Sequence, residues 1–485
     1  MAITTEEENT PPNNAIVMFP FMAQGHIIPF LALSLQLEQR GHNIIFVNTP
    51  LNIKKLRHSI PPSSAIRLRE LPFHSSGHHG LPPGVENTDV LPPHLIFPFI
   101  ESSISLKPAF RRLLSDLVAG GAPPLAVVAD MFFGWSAEVA NEFGVFHTIF
   151  STAGGFGIGC YFSLWLNLPH RKTNSPEFSL PDFQEAGLVH RTQLTPSLSS
   201  SSDKVSLFMR KNILEWSNSG GLLFNSVEEL DKTGLDYFRR LTGRNVWPVG
   251  PISLTGHNRK SGRECTEWLD TKPPKSVLFV SFGSNNTISA SQMMQLGKAL
   301  ERATNIYFIW VVRPPLGFDI TAEFKAEEWL PEGFMERVVE GQNKGLVLTK
   351  WAPQVEILLH ESVGGFLSHC GWNSVLESLS RGVPLIGWPL GQEQFFNAKL
   401  LEEEVGVCVE VGRGVGCEVR CEDLVEKIEM VMGEESEKGK EMRRKAGEMK
   451  RMIEDSVKDY GGFKGSSVVA MDEFLNAASL KKGNM

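Results

Sequence analysis

Short apolar runs alternate along this chain with longer stretches of mixed polarity. "AIVMFP" (15–20), "NIIFVN" (43–48) and "LAVVAD" (125–130) occupy the first part. "SVLFVSFG" (276–283), "YFIWVV" (307–312), "GLVLTK" (345–350), "GGFLSHCG" (364–371) and "VPLIGWP" (383–389) follow in the second. Such near-continuous apolar runs predict strands buried on both faces, the environment of a parallel sheet. The intervening segments are long enough for crossover helices, so β-α-β units are expected. "FLALSLQLEQRG" (30–41) predicts one helix, with Leu31, Leu35 and Leu37 apolar and Gly41 as its stop. The series pauses at 250–264, "GPISLTGHNRKSGRE", which is turn-rich, polar and locally basic and so predicts a linker between two α/β halves. Residues 170–204, rich in Pro and Ser, predict a long irregular connection, and 434–459 a solvated amphipathic helix.

Composition narrows the class. With 485 residues the chain exceeds one ordinary domain. Its 47 basic and 55 acidic residues leave a net charge of −8. No long basic run occurs, so neither nucleic acid nor an anionic membrane is an expected partner. The polar, acidic start "MAITTEEENTPPNN" lacks the basic-then-apolar pattern of a secretory signal. No run of about twenty apolar residues predicts a membrane span. Six cysteines suit a reducing compartment. Cys417 and Cys421 have no second ligand pair nearby, so no metal site is expected there.

Ligands of open α/β sheets bind beyond the carboxyl ends of the strands. Two residues there are chemically apt. His26 lies in the loop after the first strand, and Asp130 closes the "LAVVAD" strand. Each alone fits a structural role. Together, at one edge of one sheet, they form an imidazole backed by a carboxylate, a standard general base. In the second half, "GGFLSHCG" runs into "WNSVLES". Ser374 and Glu377 fit a capping box, which predicts a helix start at this point. Its unpaired amides and dipole would seat an anion, with His369, Asn373 and Ser374 as extra donors. A dinucleotide fingerprint is missing: "GGFGIGC" (154–160) and "GRGVGC" (412–417) carry Cys at the third small position. Neither a phosphate-binding G-x-x-x-x-G-K-[ST] nor a G-x-S-x-G elbow occurs. No D-x-D pair occurs to carry a metal-bound diphosphate.

The run from Trp351 to Gln394, "WAPQVEILLHESVGGFLSHCGWNSVLESLSRGVPLIGWPLGQEQ", resembles the signature box of plant small-molecule UDP-glycosyltransferases. "GHIIPF", "VVADMFFGW", "LLFNSVEELD", "VGPI" and "SFGS" resemble that family in the same order, so the likeness spans almost the whole chain. It implies a GT-B fold, two Rossmann-like parallel-sheet domains facing a cleft. Residues 1–249 would bind the acceptor, 250–264 link the domains, and 265–460 bind the UDP-sugar. Residues 461–485 would be a helix and tail packing back on the first domain. The resemblance implies UDP-glucose as donor substrate, no cofactor and no metal, a small-molecule acceptor, and a cytoplasmic monomer. By the same resemblance Trp351 stacks on uracil, Ala352 meets its edge, and Gln354 and Glu377 meet the ribose. Ser284, His369, Asn373 and Ser374 hold the diphosphate. Trp372, Glu393 and Gln394 meet the sugar, and a terminal Gln suits glucose. His26 is the base and Asp130 its partner. Met131 departs from the Pro usual after that Asp. The expected activity is inverting glucosyl transfer to a hydroxyl of a lipophilic molecule, a flavonoid, other phenolic or terpenoid. The alternative is a non-catalytic nucleotide-sugar or small-ligand binding protein. The acceptor walls are expected from 74–100, 132–165 and 185–215.

Overall fold

The structure, a computed structural model, describes residues 14–73, 80–89, 91–199, 203–252, 263–283, 286–316, 318 and 323–483. The first half contains β1 (Ala15–Phe19), β2 (Asn43–Asn48), β3 (Arg67–Glu70), β4 (Ala126–Asp130) and β5 (Phe146–Ser151). A small antiparallel hairpin follows, β6 (Glu177–Ser179) and β7 (Leu188–His190), then β8 (Gly221–Phe224) and β9 (Asn245–Pro248). The second half contains β10 (Val277–Ser281), β11 (Tyr307–Val311), β12 (Gly345–Leu348), β13 (Val363–Ser368), β14 (Leu385–Gly387) and β15 (Cys408–Glu410).

Seven strands form the first sheet in the order β3-β2-β1-β4-β5-β8-β9, and six form the second in the order β12-β11-β10-β13-β14-β15. The central pairings are parallel, with Phe19 beside Ala129 in one sheet and Ser281 beside Ser368 in the other. Every residue of β1, β4, β5, β10 and β13 is buried, as apolar runs covered by helices on both faces require. The chain order reverses between β1 and β4, and again between β10 and β13. Loops leaving such neighbours diverge and open a crevice at the carboxyl edge. The two crevices face each other.

The predicted strands are present, and the others are ones their own composition conceals. β3, "RLRE", is a polar edge strand. β5 lies inside an apolar stretch that continues into the helix Gly155–Asn167. The helix expected over 30–41 starts earlier, at Gln24, and ends at Gln39, with Gly41 at φ 86° beyond it. Pro29 lies within it. The described part of the connection over 170–204, residues 170–199 and 203–204, is ordered in short pieces, and Arg191 donates to the carbonyls of Ser175, His170 and Thr173. Most of the expected linker, residues 253–262, lies outside the described residues.

The helix Glu437–Ser456 buries Met442, Ala446 and Ile453 along one side. The last helix, Ser466–Gly483, returns to the first sheet. Its Phe474 packs against Trp247 at 5.8 Å and Phe146 at 6.4 Å between ring centres. Removing a ring buried this fully costs about 3–5 kcal/mol, enough to anchor the crossing. Among the described residues no helix is long and apolar enough to cross a membrane.

Candidate active site

His26 is the third residue of the helix that follows β1. Its Nδ1 lies 2.8 Å from Oδ2 of Asp130, the last residue of β4. Asp130 is fully buried, and its other oxygen accepts from the Phe132 backbone N–H at 3.1 Å. Both carboxylate oxygens are therefore used, and the ring is oriented. Nδ1 carries the proton toward the carboxylate, which leaves Nε2 as the basic nitrogen. Phe21 and Phe132 flank the ring at 5.6 and 5.5 Å. Burial works against the imidazolium, but the Asp130 charge and hydrogen bond, helped by Glu393, outweigh it and raise His26 above its ordinary value.

His369 follows β13 across the cleft and is handled differently. A Cβ at Gly283 would stand 2.7 Å from its ring, and one at Gly371 2.4 Å from Nε2, so two glycines form a slot for the imidazole. Among the described residues no carboxylate faces it, and burial lowers its pKa to about 4. It is neutral at physiological pH. Its Nδ1 is buried, with no hydrogen-bond partner among the described residues.

The adjoining helix, Trp372–Leu379, corrects the expected capping box. Its N-cap is Gly371, without a side-chain cap, and Ser374 is the third helical residue. Cys370 at φ 60° turns the chain from β13 into the helix three residues earlier than a Ser374 cap implies. The amides of the first turn remain free of side-chain capping, as an anion seat requires. Ser374 and Glu377 instead converge on Gln354, whose Nε2 donates to Ser374 Oγ at 3.0 Å and Glu377 Oε2 at 2.6 Å. Burial raises Glu377 to about 6, against the lowering effect of the Gln354 hydrogen bond.

The remaining expected residues are distributed as follows. Trp351, after β12, is 60% exposed, an aromatic face open to a flat ligand. Ala352 is buried beside it. The Trp372 indole is buried and donates to the Asn225 carbonyl at 2.7 Å, so its side chain is spent on the interface between the halves. Only its backbone amide is left for a sugar. Glu393 precedes the helix Gln394–Lys399, close enough for its charge to act on His26. Gln394 Oε1 accepts from the Leu390 and Gly391 amides, which leaves its NH₂ as the available donor. Ser284 lies outside the described residues.

Sequence reasoning did not single out Asn225 or Asp231. Asp231 accepts from the Gly155 amide at 2.5 Å, the Phe156 amide at 2.8 Å and Ser226 Oγ at 2.7 Å. It thus fills the helix start that "GGFGIGC" would have offered to a dinucleotide. No spacing rule foretells this contact. Among the described residues no group of three His, Cys, Asp or Glu stands together to hold a metal ion.

Two parallel-sheet halves that oppose their switch points, one carrying a carboxylate-backed imidazole and the other an uncapped helix start, define a glycosyltransferase of the GT-B class. Residues 13–254 match the family described as glycosyltransferase, N-terminal domain, and 244–446 that of UDP-glucoronosyl and UDP-glucosyl transferase. UDP-glycosyltransferase 92A1 of Arabidopsis thaliana is 50% identical over 98% of this chain and 99% of its own. Crocetin glucosyltransferase 3 of Crocus sativus is 43% identical over 87% of this chain and 91% of its own. The crystal structure of Glycyrrhiza uralensis UGT73P12, complexed with glycyrrhetinic acid 3-O-monoglucuronide, superposes with TM-score 0.81 at 29% identity over 97% of each chain. The chain belongs to the plant family 1 UDP-glycosyltransferases, enzymes that move a sugar from a UDP-sugar to a small-molecule acceptor.

Proposed function

We propose that this enzyme is an inverting glucosyltransferase that uses UDP-glucose to glucosylate a hydroxyl of a lipophilic phenolic or terpenoid molecule. His26 Nε2 takes the proton of the acceptor hydroxyl, and Asp130 steadies the imidazolium. The acceptor oxygen attacks the anomeric carbon from the face opposite UDP. The bond from that carbon to the diphosphate oxygen breaks, and its electron pair leaves with the nucleotide. His369, Asn373, Ser374 and the first-turn amides stabilise the charge that builds there, the kind of preorganised dipole site that favours such a transition state. Trp351 stacks on uracil with Ala352 at its edge, and Glu377 with Gln354 receives the ribose. The Trp372 amide, Glu393 and Gln394 meet the sugar, with Ser284 contributing to the diphosphate.

The observation that carries this reading is the 2.8 Å contact that commits His26 Nδ1 to Asp130 and leaves Nε2 as the base. Relatives named for crocetin and scopoletin, and the neighbour complexed with a glycyrrhetinic acid glucuronide, support a small-molecule acceptor of this kind. The acceptor walls we assign to 74–100, 132–165 and 185–215, of which 74–79, 90 and 200–202 lie outside the described residues. We place the enzyme in the cytoplasm as a monomer. Six unpaired cysteines support the reducing compartment.

The test is direct. Incubate the protein with UDP-glucose and a panel of phenolic and terpenoid alcohols, and measure product mass and anomeric configuration. One added hexose in β linkage is expected. An α-linked product overturns inversion. Neither transfer nor UDP release across the panel favours a nucleotide-sugar binding protein instead.

A further inference from the structure

We propose that Asn225 is a positioning residue: through a directional chain of hydrogen bonds, completed by Pro29, it orients Asn373 and ties the donor-binding helix start to the helix turn that carries the base. The inference rests on His26 acting as that base.

The chain begins and ends on backbone groups of fixed polarity. The Ile252 N–H donates to Asn225 Oδ1 at 2.7 Å. Asn225 Nδ2 donates to Asn373 Oδ1 at 3.2 Å. Asn373 Nδ2 donates to the Gly25 carbonyl at 3.2 Å. A backbone N–H only donates and a carbonyl only accepts, so both amide orientations are determined by the ends of the chain. Turning either amide over would set donor against donor or acceptor against acceptor.

Pro29 makes the last acceptor available. In an uninterrupted helix the N–H of residue 29 would donate to the carbonyl of residue 25. Proline has no N–H, so the Gly25 carbonyl is not claimed by the helix. It faces Asn373 instead, one residue before His26. Asn225 has a second grip on the same helix, because its carbonyl accepts from Trp372 Nε1 at 2.7 Å. Gly154 leaves room for the indole, since a Cβ there would stand 2.7 Å from the ring. The Asn225 amide donates to the Ser151 carbonyl, which holds the residue at the end of the first sheet.

Two consequences follow for the reaction. With its oxygen spent on Asn225, Asn373 offers the cleft a second N–H and no acceptor, the polarity a diphosphate needs. The base and the anion seat are joined by this short chain, with the Trp372–Asn225 bond beside it, so a rotation of one half against the other strains it.

The experiment uses Asn225→Asp, Asn225→Ala and Pro29→Ala in the full chain, with steady-state kinetics, UDP-glucose calorimetry and melting temperature. Asn225→Asp sets oxygen against Asn373 Oδ1, and Pro29→Ala restores an N–H that reclaims the Gly25 carbonyl. We expect kcat to fall between about tenfold and a hundredfold, the scale of a misplaced reacting group. The midpoint of the kcat–pH profile should stay in place, because His26 and Asp130 are untouched. Pro29→Ala should lose kcat while its melting temperature holds or rises, a combination that a purely structural proline would not give. If all three variants keep kcat within about twofold, or if Asn225 variants lose activity only in proportion to lost UDP-glucose-binding sites while Pro29→Ala is fully active, the relay is overturned. His26→Ala run alongside separates the two ideas, since retained turnover there sinks the base and not the hydrogen-bond chain.

Discussion

Two histidines occupy matching places and do opposite things. His26 follows β1 and His369 follows β13, each at the switch point of its own sheet. What differs is the end of the neighbouring strand. β4 ends in Asp130, which grips the ring and raises its pKa against burial. β10 runs out into Phe282 and Gly283, which supply a slot and no charge, and burial alone takes His369 down to about 4. Topology brings a side chain to the cleft, and the last residues of the adjacent strand decide its chemistry. A proton acceptor needs a charge behind it, whereas a ring facing a leaving diphosphate should be neutral and undersatisfied.

The contrast can be broken most sharply at His26. His26→Ala should lower kcat by about 10²–10⁴ while calorimetry still shows UDP-glucose binding. Next in size is Asp130→Asn. The base works only when neutral, so wild-type activity should fall as pH drops through a midpoint above the ordinary 6.5. Without the carboxylate, the lowering effect of burial is opposed only by the weaker Glu393 charge. The midpoint should move below 6.5, and kcat should fall by about tenfold or more, part of the 10²–10⁴ that general-base catalysis supplies. His369→Phe should act on the other side of the contrast. Losing a hydrogen bond to a charged group costs about 1.5–3 kcal/mol, so UDP-glucose affinity should weaken by about ten- to a hundredfold. The midpoint of the kcat–pH profile should not move. If it does, His369 titrates in catalysis and the division of labour is wrong.

Much of this contrast is legible from residues alone, and the limits are instructive. His26 and Asp130 can be paired because two apolar strands lead into them and a parallel sheet delivers both ends to one edge. The same logic finds His369. It misplaces the helix start at Ser374, because a capping-box spacing reads side chains and the actual turn is made by backbone at Cys370 and Gly371. It starts the first helix too late, because Gly25 and Pro29 read as loop residues; the fold keeps Pro29 inside the helix and leaves the Gly25 carbonyl to Asn373. The Trp372 side chain looks like a sugar contact until its indole is seen bonded to Asn225. Asn225 itself carries no local signal, since its partners are 27 and 148 residues away. Contacts fixed by strand order can be inferred from the sequence. Contacts fixed by how two halves meet cannot.

The smallest expected effect tests whether the donor side has a titration of its own. Glu377 is raised to about 6 by burial, opposed by the Gln354 hydrogen bond. If Glu377 receives the ribose as proposed, its ionised form is the stronger acceptor, so donor affinity should fall as pH drops through about 6. UDP-glucose is the right probe, because a terminal phosphate such as that of UDP itself titrates near 6. Between pH 7 and pH 5 its Kd should rise by up to about tenfold, the limit for one proton over one unit below the midpoint. Glu377→Gln should flatten this dependence, and Gln354→Leu, which removes a hydrogen bond that favours the carboxylate, should move the midpoint upward. A binding curve that turns near 4 instead would assign the titration to His369. The neutral ring would then be a switching group after all, and the difference between the two histidines would be one of degree.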